Sequence, residues 1–222
     1  MTGSEGMKKG KDGFYCKYIK RLLDVTLSAL ALVLLSPVLL LVALVIRLKL
    51  GAPVLFCQQR IGRDGKPFRM YKFRSMSDDR DEKGELLPDA QRISRFGALL
   101  RASSVDELPA FLNVLKGDMS IIGPRPLPVE YQPYFTPQEQ ARHSVRGGIS
   151  GLAQVNGRNA LQWEQRFAYD LEYVNKVSFS MDVKIAFQTV GKVFRRSDIG
   201  LRGVTGPEDF NVYRMRQWEG VK

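Results

Sequence analysis

Histidine, cysteine, acids and nucleotide-binding motifs are all scarce in this chain, and each shortage removes a class of chemistry. The 222 residues hold one histidine, His143. A histidine-based zinc site lacks ligands, and a Ser-His-Asp triad would have to use that one side chain. Two cysteines, Cys16 and Cys57, make no disulfide framework and point to a reducing compartment. There is no P-loop, no GxGxxG and no internal repeat. Asp and Glu number 23 against 34 Lys and Arg, leaving a net charge of +11. Such an excess calls for nucleic acid, a phosphorylated substrate or an anionic leaflet as partner. No RNP, zinc-finger or recognition-helix pattern supports the first, so no nucleic-acid partner is expected. A membrane-anchored nucleic-acid binder or a scaffold is kept as the alternative class.

What the chain has in abundance is apolar surface, at 44% of residues, too much for disorder. Val25 to Ile46 is a run of 22 residues without a charge. As a straight helix it is about 33 Å long, enough to span a bilayer. Ser36-Pro37 interrupts it, because Pro37 removes a hydrogen bond to the carbonyl four residues back and clashes with it. Each half is then about 15–18 Å, one leaflet. Lys17, Lys20 and Arg21 flank one end, and Arg47, Lys49, Arg60 and Arg63 follow the other. The positive-inside rule favours both ends in the cytoplasm, while Pro-kinked helices can still span, so a simple spanning helix stays open on the residues alone.

Val54 to Arg60 and Pro67 to Arg74 read as strands of a hairpin, with Arg63-Asp64-Gly65 as the turn. Gln91 to Arg101 reads as a short amphipathic helix and Asp106 to Lys116 as a second, with Pro109 in its first turn. GPRPLP (123–128) is rigid and non-helical. RGGISGLAQVNGR (146–158) reads as a glycine-rich loop. Leu161–Val177 and Ser180–Arg196 carry helical periodicity. The expected fold is mainly α with a small β-hairpin, an apolar N-terminal membrane segment and amphipathic interfacial helices. Its segments are a disordered basic tail (1–16), the membrane segment (17–49), a domain at the membrane interface (50–196) and a C-terminal tail (197–222).

In SSVDELPAF (103–111) two acids, Asp106 and Glu107, stand side by side in a basic chain. Taken alone, such a pair caps a helix. Context favours chemistry: Arg101 precedes it, and Arg125 follows, held between Pro124 and Pro126, suited to bidentate phosphate binding. At a helix start Asp106 is expected to stay ionised, able to hold Mg²⁺ or attack phosphorus. Lys72 and Arg74 alternate with Tyr71 and Phe73 and so share one strand face. Arg158 ends a glycine-rich loop that allows close backbone approach to a phosphate. Trp163 and Trp218 suit interfacial anchors, and Trp163 equally suits a core.

The ordered set KFRSM (72–76), RASSVDELP (101–109), NVLKGDMSIIGPRP (113–126) and GLAQVNGR (151–158) resembles the small monotopic phosphoglycosyl transferases, the bacterial sugar transferase family. The resemblance runs from about Lys17 to Arg195. SMSDDRDEKGELLPDAQR (75–92) further resembles members that use UDP-N,N′-diacetylbacillosamine in protein glycosylation. The resemblance implies transfer of a sugar 1-phosphate from a UDP-sugar to undecaprenyl phosphate, with release of UMP. UDP-N-acetylglucosamine or another deoxy sugar is the alternative donor. It implies Asp106 as covalent nucleophile, Glu107 as proton handler and acceptor positioner, and Mg²⁺ at Asp106. Lys72, Arg74, Arg101, Arg125 and Arg158 would contact phosphates, with Asp170 and Asp182 supporting the arginines. Location is implied at the cytoplasmic face of a bacterial inner membrane, beside downstream glycosyltransferases, with 17–49 as a re-entrant helix–break–helix hairpin that enters and leaves by one leaflet and 50–196 as the catalytic domain. Two positions depart from the pattern: Ala110 replaces a Gln, and Gly147 replaces a Pro, which suggests a softer loop.

Overall fold

A computed structural model describes residues 13–157, 160–195 and 208–220, with backbone alone for 193–195. A short π-helical turn leads into helix α1, Lys20–Leu50. This element runs on through Pro37 as one hydrogen-bonded helix, and the expected break at Ser36-Pro37 is not shown. A local device accounts for the continuity. The Ser36 hydroxyl donates to the Val33 carbonyl at 2.8 Å. That carbonyl is the one a residue 37 amide would have satisfied.

The hairpin forms as expected, from β1 (Leu55–Ile61) and β2 (Pro67–Phe73), antiparallel with Gln58 opposite Met70. Asp64 (φ 56°) and Gly65 (φ 76°) make its left-handed turn. The helix expected over 91–101 is divided. α2 (Asp89–Arg92) ends at extended Ile93, which pairs with Met76. α3 (Arg95–Ala102) restarts from Ser94, whose Oγ accepts from the Gly97 amide. α3 lies so close to the 75–76 strand end that a Cβ on Gly97 would sit 1.8 Å from the Ser75 carbonyl oxygen.

α4 (Ala110–Lys116) follows, with Pro109 as its N-cap. β3 (Met119–Ile122), α5 (Pro137–Gln140) and β4 (Gly147–Ser150) come next. β4 pairs in parallel with β3, so half of the expected 146–158 loop is a strand. The other half is α6 (Leu152–Asn156). Gly148 is required here: a Cβ would meet the Gly123 amide nitrogen at 2.1 Å. Gly147 belongs to this buried strand rather than to a soft loop, packed on the Pro126 ring. α7 (Trp163–Lys176) and α8 (Phe179–Arg195) match the periodicity, and α9 (Phe210–Glu219) adds a helix the sequence did not announce.

The core is divided into linked clusters. Trp163, Phe167, Phe135 and Phe210 stack together with Ile61 and Leu127, which ties α7 and α9 to the hairpin. Each such ring contributes about 1.5–3 kcal/mol by burial. Trp163 is thus core, while Trp218 is exposed and stacks on Tyr134. Ala110 is fully buried beside Met70, Val114 and Met119. α1 touches this body at both ends. Near its start Arg21 donates to the Val114 and Leu115 carbonyls, and Asp24 accepts from Ser120 Oγ and the Ile121 amide. Near its end Ile46 packs with Phe73 and Leu100. Between these contacts Leu30, Val33, Leu34 and Leu40 are exposed. Tyr15–Leu50 is, among the described residues, the one helical stretch long and apolar enough to cross a membrane. Further apolar side chains are exposed on α8, at Phe179, Phe187 and Val190, and Leu99 on α3.

Candidate active site

Asp106 and Glu107 lie in a single 3-10 turn, Val105–Glu107, not in an α-helix. Ser104 before it is left-handed (φ 58°), an unfavourable conformation for serine that reverses the chain after α3. α4 begins only at Ala110, so its dipole does not bear on Asp106 as expected. Burial decides instead. Asp106 is 8% exposed. Its carboxyl is pushed above the ordinary range by burial first and the Glu107 charge second, against Lys72, Arg125 and Arg101.

The two acids are held differently. Glu107 Oε1 accepts from Lys72 Nζ at 2.8 Å and from Arg125, and Oε2 accepts from Arg125 at 3.1 Å. Among the described residues nothing donates a hydrogen bond to Asp106. Glu107 therefore gathers the cations, and both its oxygens are engaged in this state. Asp106 keeps its lone pairs for another partner.

The Arg125 backbone is fixed by more than its flanking prolines. Gly123 donates to Ser150 O at 2.8 Å, Gly148 donates to Pro124 O at 2.9 Å, and Arg142 donates to Arg125 O at 2.8 Å. Arg142 is itself clamped by Asp170, with contacts of 3.0 and 2.7 Å, both residues nearly inaccessible. Asp170 thus reaches the site through a chain of two arginines. Burial lowers the Arg125 pKa, but the Glu107 charge and hydrogen bonds outweigh it, and the net shift is upward.

The remaining expected positions are dispersed. Arg101 donates to Ser75 Oγ at 3.0 Å and adds its charge near Asp106. Arg74 is engaged with neighbouring loops. It lies beyond the end of β2, donating to the Ala52 and Met76 carbonyls and pairing with Asp78 at 2.8 Å, so it braces loops. Asp182 does not support the arginines. It accepts from Tyr15 at 2.6 Å, Lys20 at 2.5 Å and Tyr173 at 2.7 Å, which fastens the foot of α1 to α7 and α8. Arg158 lies outside the described residues. His143 is buried against Phe135, and burial followed by the Arg142 charge lowers its pKa to about 3.

Sequence reasoning missed Arg60 and Arg142. Arg60 donates to Pro126 O at 3.3 Å, and its pKa falls to about 10 through burial and the nearby Arg125 charge. Its signal was a charged residue at the inward-facing end of a strand next to a turn. Arg142 carried no local signal, since its partners lie 17 and 28 positions away.

A buried carboxylate left uncommitted among guanidinium groups suits one kind of work, the handling of phosphate, and the apolar helix places that work beside lipid. The class is therefore an enzyme of phosphate-group transfer, associated with a membrane. Known proteins supply the family. The model of the family described as "Bacterial sugar transferase" matches residues 15–196. The uncharacterized sugar transferase EpsL of Bacillus subtilis is 51% identical over 175 residues, covering 79% of this chain and 87% of its own length. The UDP-glucose:undecaprenyl-phosphate glucose-1-phosphate transferase of Klebsiella pneumoniae is 42% identical over 185 residues, 79% of this chain but 40% of its own. An Aeromonas hydrophila relative named for N-acetylgalactosamine phosphotransfer to undecaprenyl phosphate is 40% identical over 78% of this chain and 43% of its own length. This chain belongs to the bacterial sugar transferase family. It is an enzyme of the phosphoglycosyl transferase type.

Proposed function

We propose that this protein transfers a sugar 1-phosphate from a UDP-sugar to undecaprenyl phosphate, through a phosphosugar carried on Asp106. The observation that carries the reading is the split between the acids: Glu107 is claimed by Lys72 and Arg125, and among the described residues no hydrogen-bond donor claims Asp106. An Asp106 carboxylate oxygen attacks the sugar-bearing phosphorus of the diphosphate. The P–O bond to the uridylyl phosphate breaks, and UMP leaves with that oxygen. A phosphate oxygen of the lipid then attacks the same phosphorus and restores the carboxylate. One phosphoanhydride replaces another, so no ATP is consumed. Lys72, Arg101, Arg125 and Arg60 lie where they oppose the charge of the two phosphates.

Mg²⁺ fits this site. The available donor is one carboxylate, that of Asp106, and no cluster of three His, Cys, Asp or Glu exists among the described residues. A metal here would be held by Asp106 together with substrate oxygens and water, the mode Mg²⁺ favours. When bound it neutralises diphosphate charge.

The donor sugar is the finer element. The relatives above are named for glucose and N-acetylgalactosamine. A diacetylbacillosamine donor, and with it a role in protein glycosylation, rests on the resemblance of residues 75–92 alone. The test is UMP release from the full chain with undecaprenyl phosphate and Mg²⁺, across UDP-diacetylbacillosamine, UDP-N-acetylglucosamine, UDP-N-acetylgalactosamine and UDP-glucose. We expect release with one donor above the others, and its loss in excess EDTA. Release with none would reject the reading, and full activity in EDTA would reject the metal.

The same reading puts both ends of α1 on the cytoplasmic face of the inner membrane, the helix staying hydrogen-bonded through Pro37 but bending there within one leaflet. Support comes from the two docked ends. A helix crossing the bilayer could not touch one globular body at Asp24 and again at Ile46. Cysteine substituted at Ser4, in a chain lacking Cys16 and Cys57, should resist an impermeant maleimide until the inner membrane is opened. Earlier labelling would mean that the helix spans.

A further inference from the structure

A second basic pocket lies at the foot of α1, apart from the acid pair. Arg21, Arg63, Ser144 and Arg146 line it, with Lys20 and Asp24. The cavity is about 50 Å³. Whole small-molecule ligands take about 300 Å³ or more, so this space suits a headgroup, not a nucleotide.

The acids nearby are already spent. Asp24 is engaged by Ser120 and Ile121, and Asp182 by Lys20, Tyr15 and Tyr173. Among the described residues neither Arg21 nor Arg146 pairs with a carboxylate. Arg21 donates to the last carbonyls of α4 through its two terminal nitrogens, and Arg146 donates to Gly117 O through Nε alone. That leaves both terminal nitrogens of Arg146 uncommitted. Arg63, half-exposed on the hairpin turn, has only a loose 3.6 Å contact with its neighbour Asp64. The Ser144 hydroxyl is buried and has no hydrogen-bond partner among the described residues. An unsatisfied hydroxyl beside gathered like charges is costly unless an anion joins them.

The pocket is lined by none of the residues that act most strongly on Asp106. Arg146 is shifted down by burial, then by Arg21 and Arg63, with Asp24 opposing. Asp106 responds to Glu107, Lys72, Arg125 and Arg101. The two sets share no residue. The pocket also sits by the first polar turns of α1, next to Val25, where the uncharged run begins. In the membrane arrangement proposed above, this is the headgroup layer.

We propose that this pocket is a second phosphate-binding site, formed by Arg63, Arg146, Arg21 and the Ser144 hydroxyl. Its ligand carries one phosphate group, whether the headgroup of an anionic phospholipid or a free phosphate. Occupancy would tie the hairpin turn to the foot of the membrane helix and so fix the angle at which the domain meets the bilayer.

The test uses the full chain in detergent, following the thermal unfolding midpoint against dihexanoyl-phosphatidylglycerol or inorganic phosphate, with sodium chloride matching ionic strength. A saturable rise is expected. Arg63→Gln, on an exposed turn, should raise the half-saturating concentration about tenfold, the worth of one charge-assisted hydrogen bond. Ser144→Ala should raise it by less. Arg101→Gln, at the acid pair, should leave it unchanged, and Arg63→Gln should keep UMP release within about twofold of the parent in detergent. Saturation by the lipid at far lower concentration than by phosphate assigns the site to a headgroup, and comparable values assign it to the free ion. No saturable rise with either, or a rise abolished by Arg101→Gln but not by Arg63→Gln, overturns the proposal.

Discussion

Two buried carboxylates in this protein, Asp170 and Asp106, show how the same group is put to opposite uses. Asp170 is almost inaccessible and takes two hydrogen bonds from Arg142. Burial pushes its carboxyl up, and Arg142 and Arg166 pull against that. Asp106 is buried to a similar degree, but its cations act from a distance while Glu107 holds two of them. The first arrangement closes a structural link that ends on the Arg125 backbone. The second leaves a desolvated carboxylate facing the place where a phosphate would sit. Burial is common to both, and the presence or absence of a direct donor separates support from reactivity.

Replacing each acid by its amide breaks the comparison most sharply. Asp106→Asn should lower turnover by about 10³-fold or more. Its stability at pH 7 should equal or exceed the parent's. The sign follows from the raised pKa: above the ordinary carboxylate value the unfolded chain ionises Asp106 more readily than the fold does, so ionisation works against folding as pH rises. The amide removes that cost. Burial raises the Asp170 carboxyl too, but there the direct Arg142 partner decides, and Asp170→Asn should do the reverse. It leaves Arg142 buried without its charge partner, which destabilises by about 3–5 kcal/mol, and any protein that folds should retain measurable turnover. Chemical denaturation and UMP release on the same preparations check both. A stable Asp170→Asn protein, or an unstable Asp106→Asn one, would break the distinction.

A smaller effect sharpens it from the neighbouring imidazole. His143 touches Arg142 and titrates near 3 in the fold against about 6.5 unfolded. Below 6.5 the unfolded chain takes up a proton that the fold refuses, so stability is full above that pH and falls toward 3. Between pH 6.5 and 5 the loss from this group should be about 1.5 kcal/mol. His143→Gln should flatten that part of the stability–pH curve. An unchanged slope would mean that His143 is protonated within the fold.

What was legible in the sequence followed from local physics. The uncharged run dictated α1, and Arg63-Asp64-Gly65 dictated the hairpin turn. The adjacency of Asp106 and Glu107 marked the site. The β3–β4 pair was hidden because each strand is four residues long and Gly147 and Gly148 read as loop, whereas the glycines are there to let Gly123 and Pro126 approach. The continuity of α1 through Pro37 depended on one serine rotamer. The roles of Arg142 and Asp182 are set by partners far along the chain, and no spacing rule reaches them. Nor could adjacency reveal that Glu107 would take the cations and leave Asp106 open.

That division of labour is the central claim, and intact-protein mass spectrometry tests it most directly. The full chain is mixed with its UDP-sugar donor and Mg²⁺ in the absence of undecaprenyl phosphate. The account predicts a mass increase equal to one phosphosugar, placed on Asp106 by peptide mapping. It also predicts discharge on addition of the lipid phosphate, and no increase in Asp106→Asn. An active enzyme that gains no mass, or carries the phosphosugar on another residue, would contradict it.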